Sequence, residues 1–84
     1  MLILHDNTES GNAYKVRLLL AQLGTPFETV QYDVTKGETR TPDFLSNISR
    51  TGRIPVLQLE DGRCLAESNA ILYYLAQGTS FFPL

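Results

Sequence analysis

The arrangement that most constrains the fold is a strand, a helix and a second strand at the start of the chain. Residues 2–5 are a short, largely apolar run that predicts a buried strand. The helix that follows ends at Gly24, with Pro26 two residues later. Its apolar side chains recur at helical spacing, at Ala13, Val16, Leu20 and Leu23. A second strand over residues 27–34 then predicts a right-handed parallel crossover, since connections of this kind have one hand.

A β-hairpin is predicted in the second half of the chain. Residues 54–60 form its first strand and residues 63–66 its return strand. Between them, Asp61 and Gly62 are a strong signal for a two-residue hairpin turn. The hairpin adds antiparallel strands to the parallel pair, so the predicted four-stranded sheet is mixed.

Two further helices complete the predicted order. A polar loop over residues 35–42 leads to a short helix that begins near Pro42. The last helix begins at Glu67 or Ser68 and stops near Gly78. Three of its apolar side chains are expected to face the core, those of Ile71, Leu72 and Leu75. The order β-α-β-α-β-β-α predicts an α/β domain with helices on both faces of the sheet.

Length and composition narrow the functional classes. The 84 residues allow one domain, which we place at residues 1–78. A formal charge of −2 without a basic stripe argues against a nucleic-acid binder, and no apolar run is long enough to span a membrane. The single cysteine, Cys64, and the single histidine, His5, argue against a disulfide and a metal site, and both are expected to be structural. Without a signal-peptide pattern, the expected location is cytoplasmic.

Ser10 is the first candidate site residue. It stands at the start of the first helix, where free amide groups and the helix dipole favour an anion. Its hydroxyl can donate a hydrogen bond to a bound thiolate. A hydrogen bond to a charged group contributes about 1.5–3 kcal/mol, which lowers a thiol pKa by roughly one to two units. The competing explanation is that Ser10 only caps the helix.

Two other segments are predicted to lie at the same edge of the sheet. A cis bond before Pro55 would leave the N–H and C=O of Ile54 free to pair with an extended peptide. Because cis bonds are about 5–6% of X–Pro bonds, the residues alone favour trans. Glu67 and Ser68 complement the ammonium and carboxylate groups of an α-amino acid, although a capping serine explains the same pattern.

Three motifs together resemble the N-terminal domain of cytosolic glutathione transferases over residues 2–83. They are Ser-Gly-Asn-Ala-Tyr-Lys-Val-Arg-Leu-Leu-Leu at 10–20, Gly-Arg-Ile-Pro-Val-Leu at 52–57 and Leu-Ala-Glu-Ser-Asn-Ala-Ile-Leu-Tyr-Tyr-Leu at 65–75. Because no tyrosine lies near position 5, the chain resembles the serine-type bacterial and theta- or zeta-like groups. The resemblance implies a thioredoxin-like fold and a cis bond between Ile54 and Pro55.

The resemblance also implies a site for glutathione as co-substrate, with no metal. Ser10 would activate the sulfur, and Asn12 is its rival or helper. The residues implied to bind the rest of glutathione are Arg40, Arg53, Ile54, Pro55, Glu67 and Ser68.

Each part of glutathione has an implied partner. The two arginines lie near the glycine carboxylate, with Arg53 preferred and Arg40 a looser candidate. The Ile54 backbone pairs with the cysteinyl residue. Glu67 and Ser68 hold the γ-glutamyl end.

The implied function is transfer, in which the glutathione thiol attacks a small electrophilic substrate. A glutathione-dependent disulfide-bond reductase and a non-catalytic interaction domain are the alternatives. A thioredoxin or glutaredoxin is not expected, because residues 10–13 replace the Cys-x-x-Cys of such folds. Family members continue into an all-helical second domain, so residues 79–84 are expected to begin a linker. The full-length protein is then expected to be a homodimer, and the isolated chain weakly active or inactive.

Overall fold

The computed structural model describes residues 1–77. Its elements are β1 (Leu2–Asp6), α1 (Gly11–Leu23), β2 (Phe27–Gln31), a 3-10 turn (Val34–Lys36), α2 (Pro42–Asn47), β3 (Val56–Gln58), β4 (Cys64–Leu65) and α3 (Ser68–Ala76). The predicted order β-α-β-α-β-β-α is therefore confirmed. The predicted linker at residues 79–84 and the predicted helix end near Gly78 lie outside the described residues.

The four strands form one mixed sheet in the order β2-β1-β3-β4. β1 pairs in parallel with β2, with Leu2 opposite Phe27. β1 pairs with β3 in antiparallel fashion, with His5 opposite Val56, and β3 pairs with β4 in the same way. The carboxyl end of β1, the amino end of β3 and the carboxyl end of β4 consequently meet at one edge of the sheet.

Local signals at both ends fix the first helix. The Ser10 side chain accepts a hydrogen bond from the Ala13 N–H at 3.2 Å. At the other end Gly24 has φ +66°, a left-handed conformation that glycine adopts without steric cost. The N–H groups of Gly24 and Thr25 donate to the carbonyls three and five positions before them in the Schellman pattern, to Ala21 and Leu20 respectively. The predicted limits of this helix are confirmed.

The second strand is shorter than predicted. It ends at Gln31 because its partner β1 ends at Asp6, the residue opposite. The Tyr32 N–H donates to the Asp6 carbonyl at 2.9 Å, and the chain then leaves the sheet. The prediction of a strand to Val34 was wrong, since Val34 begins the 3-10 turn that Asp33 caps.

The hairpin also differs from the prediction. The Leu59 N–H donates to the Arg63 carbonyl at 2.7 Å, which leaves three loop residues, 60–62, instead of two. The Gly62 N–H donates back to the Leu59 carbonyl at 2.9 Å, and Gly62 has φ +92°. This is the pattern of a three-residue hairpin loop with glycine in the last position. Both strands of the hairpin are therefore shorter than predicted. β3 covers Val56–Gln58 where residues 54–60 were predicted, and β4 covers Cys64–Leu65 where residues 63–66 were predicted.

The core lies between the sheet and the pair α1 and α3. Its buried members are Leu4, Val16, Leu20, Leu57, Leu59 and Ile71. Adjacent residues of a strand face opposite sides, so His5 faces away from the Leu4 side. There it contacts Tyr32, whose ring packs edge-on against Phe44 of α2 at 4.9 Å between centroids. Helices thus cover both faces of the sheet, as predicted.

Candidate functional site

A cavity of about 460 Å³ opens beside the start of α1. It lies between that helix, the segment after β2 and the segment before β3. Four of the predicted site residues line it, namely Ser10, Arg40, Arg53 and Ile54. Three segments that are distant in the sequence, with Ser10 and Ile54 44 positions apart, therefore meet at one site.

Ser10 caps the helix and still has a hydroxyl proton to donate. Its Oγ accepts from the Ala13 N–H, and its own N–H donates to the Asn7 carbonyl at 3.0 Å. Within residues 1–77 no hydrogen bond uses the hydroxyl as donor. A hydroxyl has one donor and two acceptor sites, so capping leaves the donor available. The two explanations offered for Ser10 are compatible.

The cavity carries two cationic side chains, those of Arg40 and Arg53. Both are exposed, and neither forms an ion pair with a carboxylate of the described chain. Gly52 makes room for one of them, because a Cβ atom there would lie 3.0 Å from Cδ of Arg40. The same Cβ would lie 2.8 Å from the Thr39 carbonyl oxygen. Sequence reasoning did not assign Gly52 a role, although it begins the Gly-Arg-Ile-Pro motif.

The bond between Ile54 and Pro55 is cis, as the resemblance implied. Ile54 is half-buried at the cavity wall, and Pro55 is buried. No hydrogen bond of the described part uses the N–H or C=O of Ile54. The pairing of β3 with β1 begins two residues later, at Val56. The Ile54 peptide groups are accordingly available to a ligand.

Glu67 and Ser68 lie at the start of α3, at the same edge of the sheet. Glu67 is the N-cap residue, and its exposed carboxylate makes no capping hydrogen bond. The first intrahelical bond runs from the Ile71 N–H to the Glu67 carbonyl, so the amides of the first turn are not used within the helix. Neither residue lines the cavity beside α1, and Asn12 does not line it either. The predicted roles of these three residues stay predictions.

His5 has a structural environment. It is buried, its Nδ1 lies 2.7 Å from the Tyr32 hydroxyl and its Nε2 lies 2.8 Å from Oε1 of Gln58. With an amide oxygen as acceptor, Nε2 carries the proton and Nδ1 accepts from Tyr32. Burial, with smaller contributions from Asp43 and Cys64, raises the pKa of Tyr32 above its usual 10.0. The tyrosine therefore stays a hydrogen-bond donor at neutral pH.

The only thiol of the chain, that of Cys64, lies away from Ser10. Burial raises the pKa of Cys64 above its usual 9.0, so the thiol is protonated at neutral pH. Its Sγ lies 3.8 Å from the carbonyl oxygens of Asn47 and Gly62. Any sulfur chemistry beside Ser10 would need a sulfur that a ligand brings.

Residues 1–77 hold neither a cluster of metal-ligating side chains nor a helix able to span a membrane. No three side chains of the metal-ligating types His, Cys, Asp and Glu lie close enough there to share an ion. None of the helices described is long and apolar enough to cross a membrane.

The sequence and the fold both match a known family. The family described as "Glutathione S-transferase, N-terminal domain" matches residues 1–77. The chain belongs to the glutathione S-transferase family. A crystal structure of a glutathione S-transferase from Pseudomonas fluorescens is 48% identical, with a TM-score of 0.93, and the match covers 98% of this chain and 40% of that one.

Two other relatives widen the comparison. Maleylacetoacetate isomerase from Pseudomonas aeruginosa is 33% identical over 76 residues, which is 88% of this chain and 35% of that protein. The structure of Ure2p in complex with glutathione is 32% identical with a TM-score of 0.81, covering 89% of this chain and 32% of that one. The predicted likeness to bacterial and zeta-like transferases agrees with these relatives. This chain spans between 21% and 40% of the lengths of the first relatives it matches.

Proposed function

We propose that this chain binds glutathione and activates its thiol for attack on a small electrophile. The observation that carries the proposal is the Ser10 hydroxyl, with its donor unused, at the amino end of α1 in a cavity that also holds two unpaired arginines. Family membership and the glutathione complex of Ure2p support it. Asn12 is the alternative partner of the sulfur.

The proposed chemistry begins with loss of the thiol proton to solvent. A free thiol of this type has a pKa of about 8.5, so most of it is protonated at neutral pH. The Ser10 hydroxyl donates to the thiolate, and the positive end of the α1 dipole adds to its stabilisation. A hydrogen bond to a charged group contributes about 1.5–3 kcal/mol, which makes the thiolate substantial at neutral pH. The thiolate then forms a bond to the electrophilic atom, and the leaving group takes the electron pair of the bond that breaks.

The remaining groups bind the rest of glutathione. Arg40 and Arg53 attract the glycine carboxylate, because both are cationic and neither forms an ion pair within residues 1–77. The free N–H and C=O of Ile54 pair with the cysteinyl residue as a neighbouring strand would. The Glu67 carboxylate accepts from the γ-glutamyl ammonium group, and the amide and hydroxyl of Ser68 donate to its carboxylate.

Titration of the chain with millimolar glutathione, followed by amide resonances, tests the binding proposal. We expect the amides of Ser10, Ile54 and Ser68 to shift together with one dissociation constant. The amide of Asp61, in the hairpin loop at the other end of the sheet, is the internal control and should not shift. If none of the three moves, the proposed function is wrong. Binding without a thiolate absorbance near neutral pH would favour the non-catalytic interaction domain.

We also propose how this domain is arranged in the full-length protein. We place this domain ahead of an all-helical second domain in a cytoplasmic homodimer that acts in detoxification. A disulfide-bond reductase would use the same activated thiolate on a sulfur electrophile. Turnover of a disulfide instead of a carbon electrophile would identify that alternative.

A further inference from the structure

A buried ion pair lies directly beneath the loop that carries Ser10. Asp6, the last residue of β1, is fully buried. Nη1 of Arg17, on α1, lies 2.6 Å from its Oδ1 and 2.7 Å from its Oδ2. Nε2 of Gln31 donates to the same carboxylate at 3.2 Å. A buried carboxylate needs such partners, since an unpaired charge in the interior is costly.

The same guanidinium reaches the connection between β1 and α1, residues 7–10, which we call the site loop. Nη1 lies 3.4 Å from the Asn7 carbonyl oxygen, and Nη2 donates to the Thr8 carbonyl at 3.3 Å. Arg17 therefore joins the end of the strand, the helix and the loop between them. An arginine suits this task because its nitrogens point in different fixed directions.

The other side of the site loop is also held. Nδ2 of Asn7 donates to the Tyr32 carbonyl at 2.8 Å, and its Oδ1 accepts from the Glu9 N–H at 2.8 Å. The Asn7 carbonyl accepts from the Ser10 N–H at 3.0 Å. The Ser10 N–H and the Arg17 guanidinium thus contact the same carbonyl oxygen, that of Asn7.

We propose that Arg17 is a positioning residue for the Ser10 hydroxyl. By holding the carbonyls of Asn7 and Thr8, it fixes the site loop so that the hydroxyl lies where a ligand sulfur can accept its hydrogen bond. Because the Asp6 carboxylate balances the guanidinium charge, Arg17 acts through the position of the loop. Small displacements of such a donor cost large factors in rate. The inference rests on the proposed function.

The variant Arg17→Lys tests the positioning role. Lysine keeps a positive charge opposite Asp6 but has one nitrogen, so it cannot bind the carboxylate and the Thr8 carbonyl in the same geometry. The matched control is Arg63→Lys. Arg63 also pairs with an aspartate, its Nε lying 2.7 Å from Oδ2 of Asp61. It belongs to the hairpin, at the other end of the sheet from Ser10.

The first measurement is amide hydrogen exchange of the full chain without ligand. In Arg17→Lys we expect the Ser10 amide to exchange about tenfold faster while core amides such as Leu20 keep their rates. Arg63→Lys should leave the Ser10 amide unchanged. An unchanged Ser10 rate in Arg17→Lys would overturn the proposal, and so would an equal acceleration of the core amides.

The second measurement is the pH profile of the thiolate absorbance of bound glutathione. We expect Arg17→Lys to raise the pKa of the bound thiol by about one unit, a tenfold loss of thiolate, with less than a threefold change in the dissociation constant. Weaker binding with an unchanged thiol pKa would show a merely structural role and overturn the proposal. If the wild-type chain fails to bind glutathione, the proposed function fails, and the exchange rates alone decide whether Arg17 holds the site loop.

Discussion

At the scale of the residue, the Ser10 hydroxyl caps α1 and is also the group proposed to activate the thiol. The oxygen accepts from the Ala13 N–H and so satisfies one of the amide groups that the first turn of α1 leaves without a partner in the helix. The proton stays free for a ligand, so thiol activation does not require the cap to break. The stability of α1 and the proposed chemistry can therefore be separated by experiment.

Ser10→Ala should affect both properties. We expect the unfolding free energy to fall by about 1 kcal/mol from the lost cap, and the bound thiol pKa to rise by roughly one to two units. Denaturant unfolding and thiolate absorbance against pH measure the two effects. Thr41→Ala is the matched control, since Thr41 caps α2 by accepting from the Phe44 N–H and does not line the cavity. If Asn12→Ala raises the thiol pKa and Ser10→Ala does not, Asn12 is the partner of the sulfur.

Gly52→Ala tests the packing beneath the arginines. The residue has φ +66°, and its Cβ would lie 2.8 Å from the Thr39 carbonyl oxygen. Gly37→Ala is the control, because Gly37 has φ +75° and no atom within 4 Å of its Cβ position. We expect Gly37→Ala to lower the unfolding free energy by about 1–2 kcal/mol through its backbone alone. Gly52→Ala should lower it further and weaken glutathione binding by displacing Arg40, and equal losses for the two variants would contradict this explanation.

At the scale of the element, the helices could be predicted better than the strands. The limits of α1 depend on residues within a few positions, Ser10 and Gly24, which the sequence shows directly. The end of β2 depends on where β1 ends, which no residue near Gln31 reveals. The hairpin loop has three residues instead of the predicted two, because Gly62 takes its positive φ at the end of the loop. The site residues divide in the same way. Ser10 and Ile54 could be predicted from local motifs, whereas the proposed role of Arg17 depends on contacts that only the folded chain shows.

The packing of β1 against α2 through Tyr32 should produce a pH dependence. Because burial raises the Tyr32 pKa above 10.0, the folded state keeps the proton at a pH where the unfolded state loses it. The unfolding free energy should therefore be constant with respect to this group below about pH 10 and fall as the pH rises above that value.

Tyr32→Phe should remove that alkaline loss. At neutral pH the variant should be less stable by about 0.5–1.5 kcal/mol, since the hydrogen bond to His5 is lost. Urea unfolding at a series of pH values checks both statements. Tyr14→Phe, which alters an exposed tyrosine of α1, should keep the alkaline decline of the wild type. A decline that persists unchanged in Tyr32→Phe would contradict the assignment.

At the scale of the whole molecule, this chain holds the proposed glutathione contacts within a single domain. It spans 40% of the Pseudomonas fluorescens transferase that it matches. A groove of about 500 Å³ between α1 and α3 is lined largely by apolar side chains, among them Leu18 and Leu72. The cavity beside Ser10 is lined by four of the residues proposed to act on glutathione, Ser10, Arg40, Arg53 and Ile54.

The isolated chain should bind glutathione but conjugate it weakly or not at all. The residues that choose the electrophile are expected in the proposed second domain, so a thiolate activated at Ser10 would lack an oriented partner. A spectrophotometric conjugation assay with a generic aromatic electrophile measures this. Robust turnover by the 84-residue chain would show that this domain orients the electrophile by itself.

The antiparallel course of β3 separates the hairpin tip from the proposed site. The loop at residues 60–62 lies beside the first residue of the chain, with the Met1 amino group 3.7 Å from the Glu60 carboxylate. Ser10 and Ile54 lie past the other ends of the same strands. A fluorophore or an immobilisation tag attached to the hairpin tip would therefore not block the cavity beside Ser10. Surface-tethered or dye-labelled sensors of glutathione can be built from that end of the molecule.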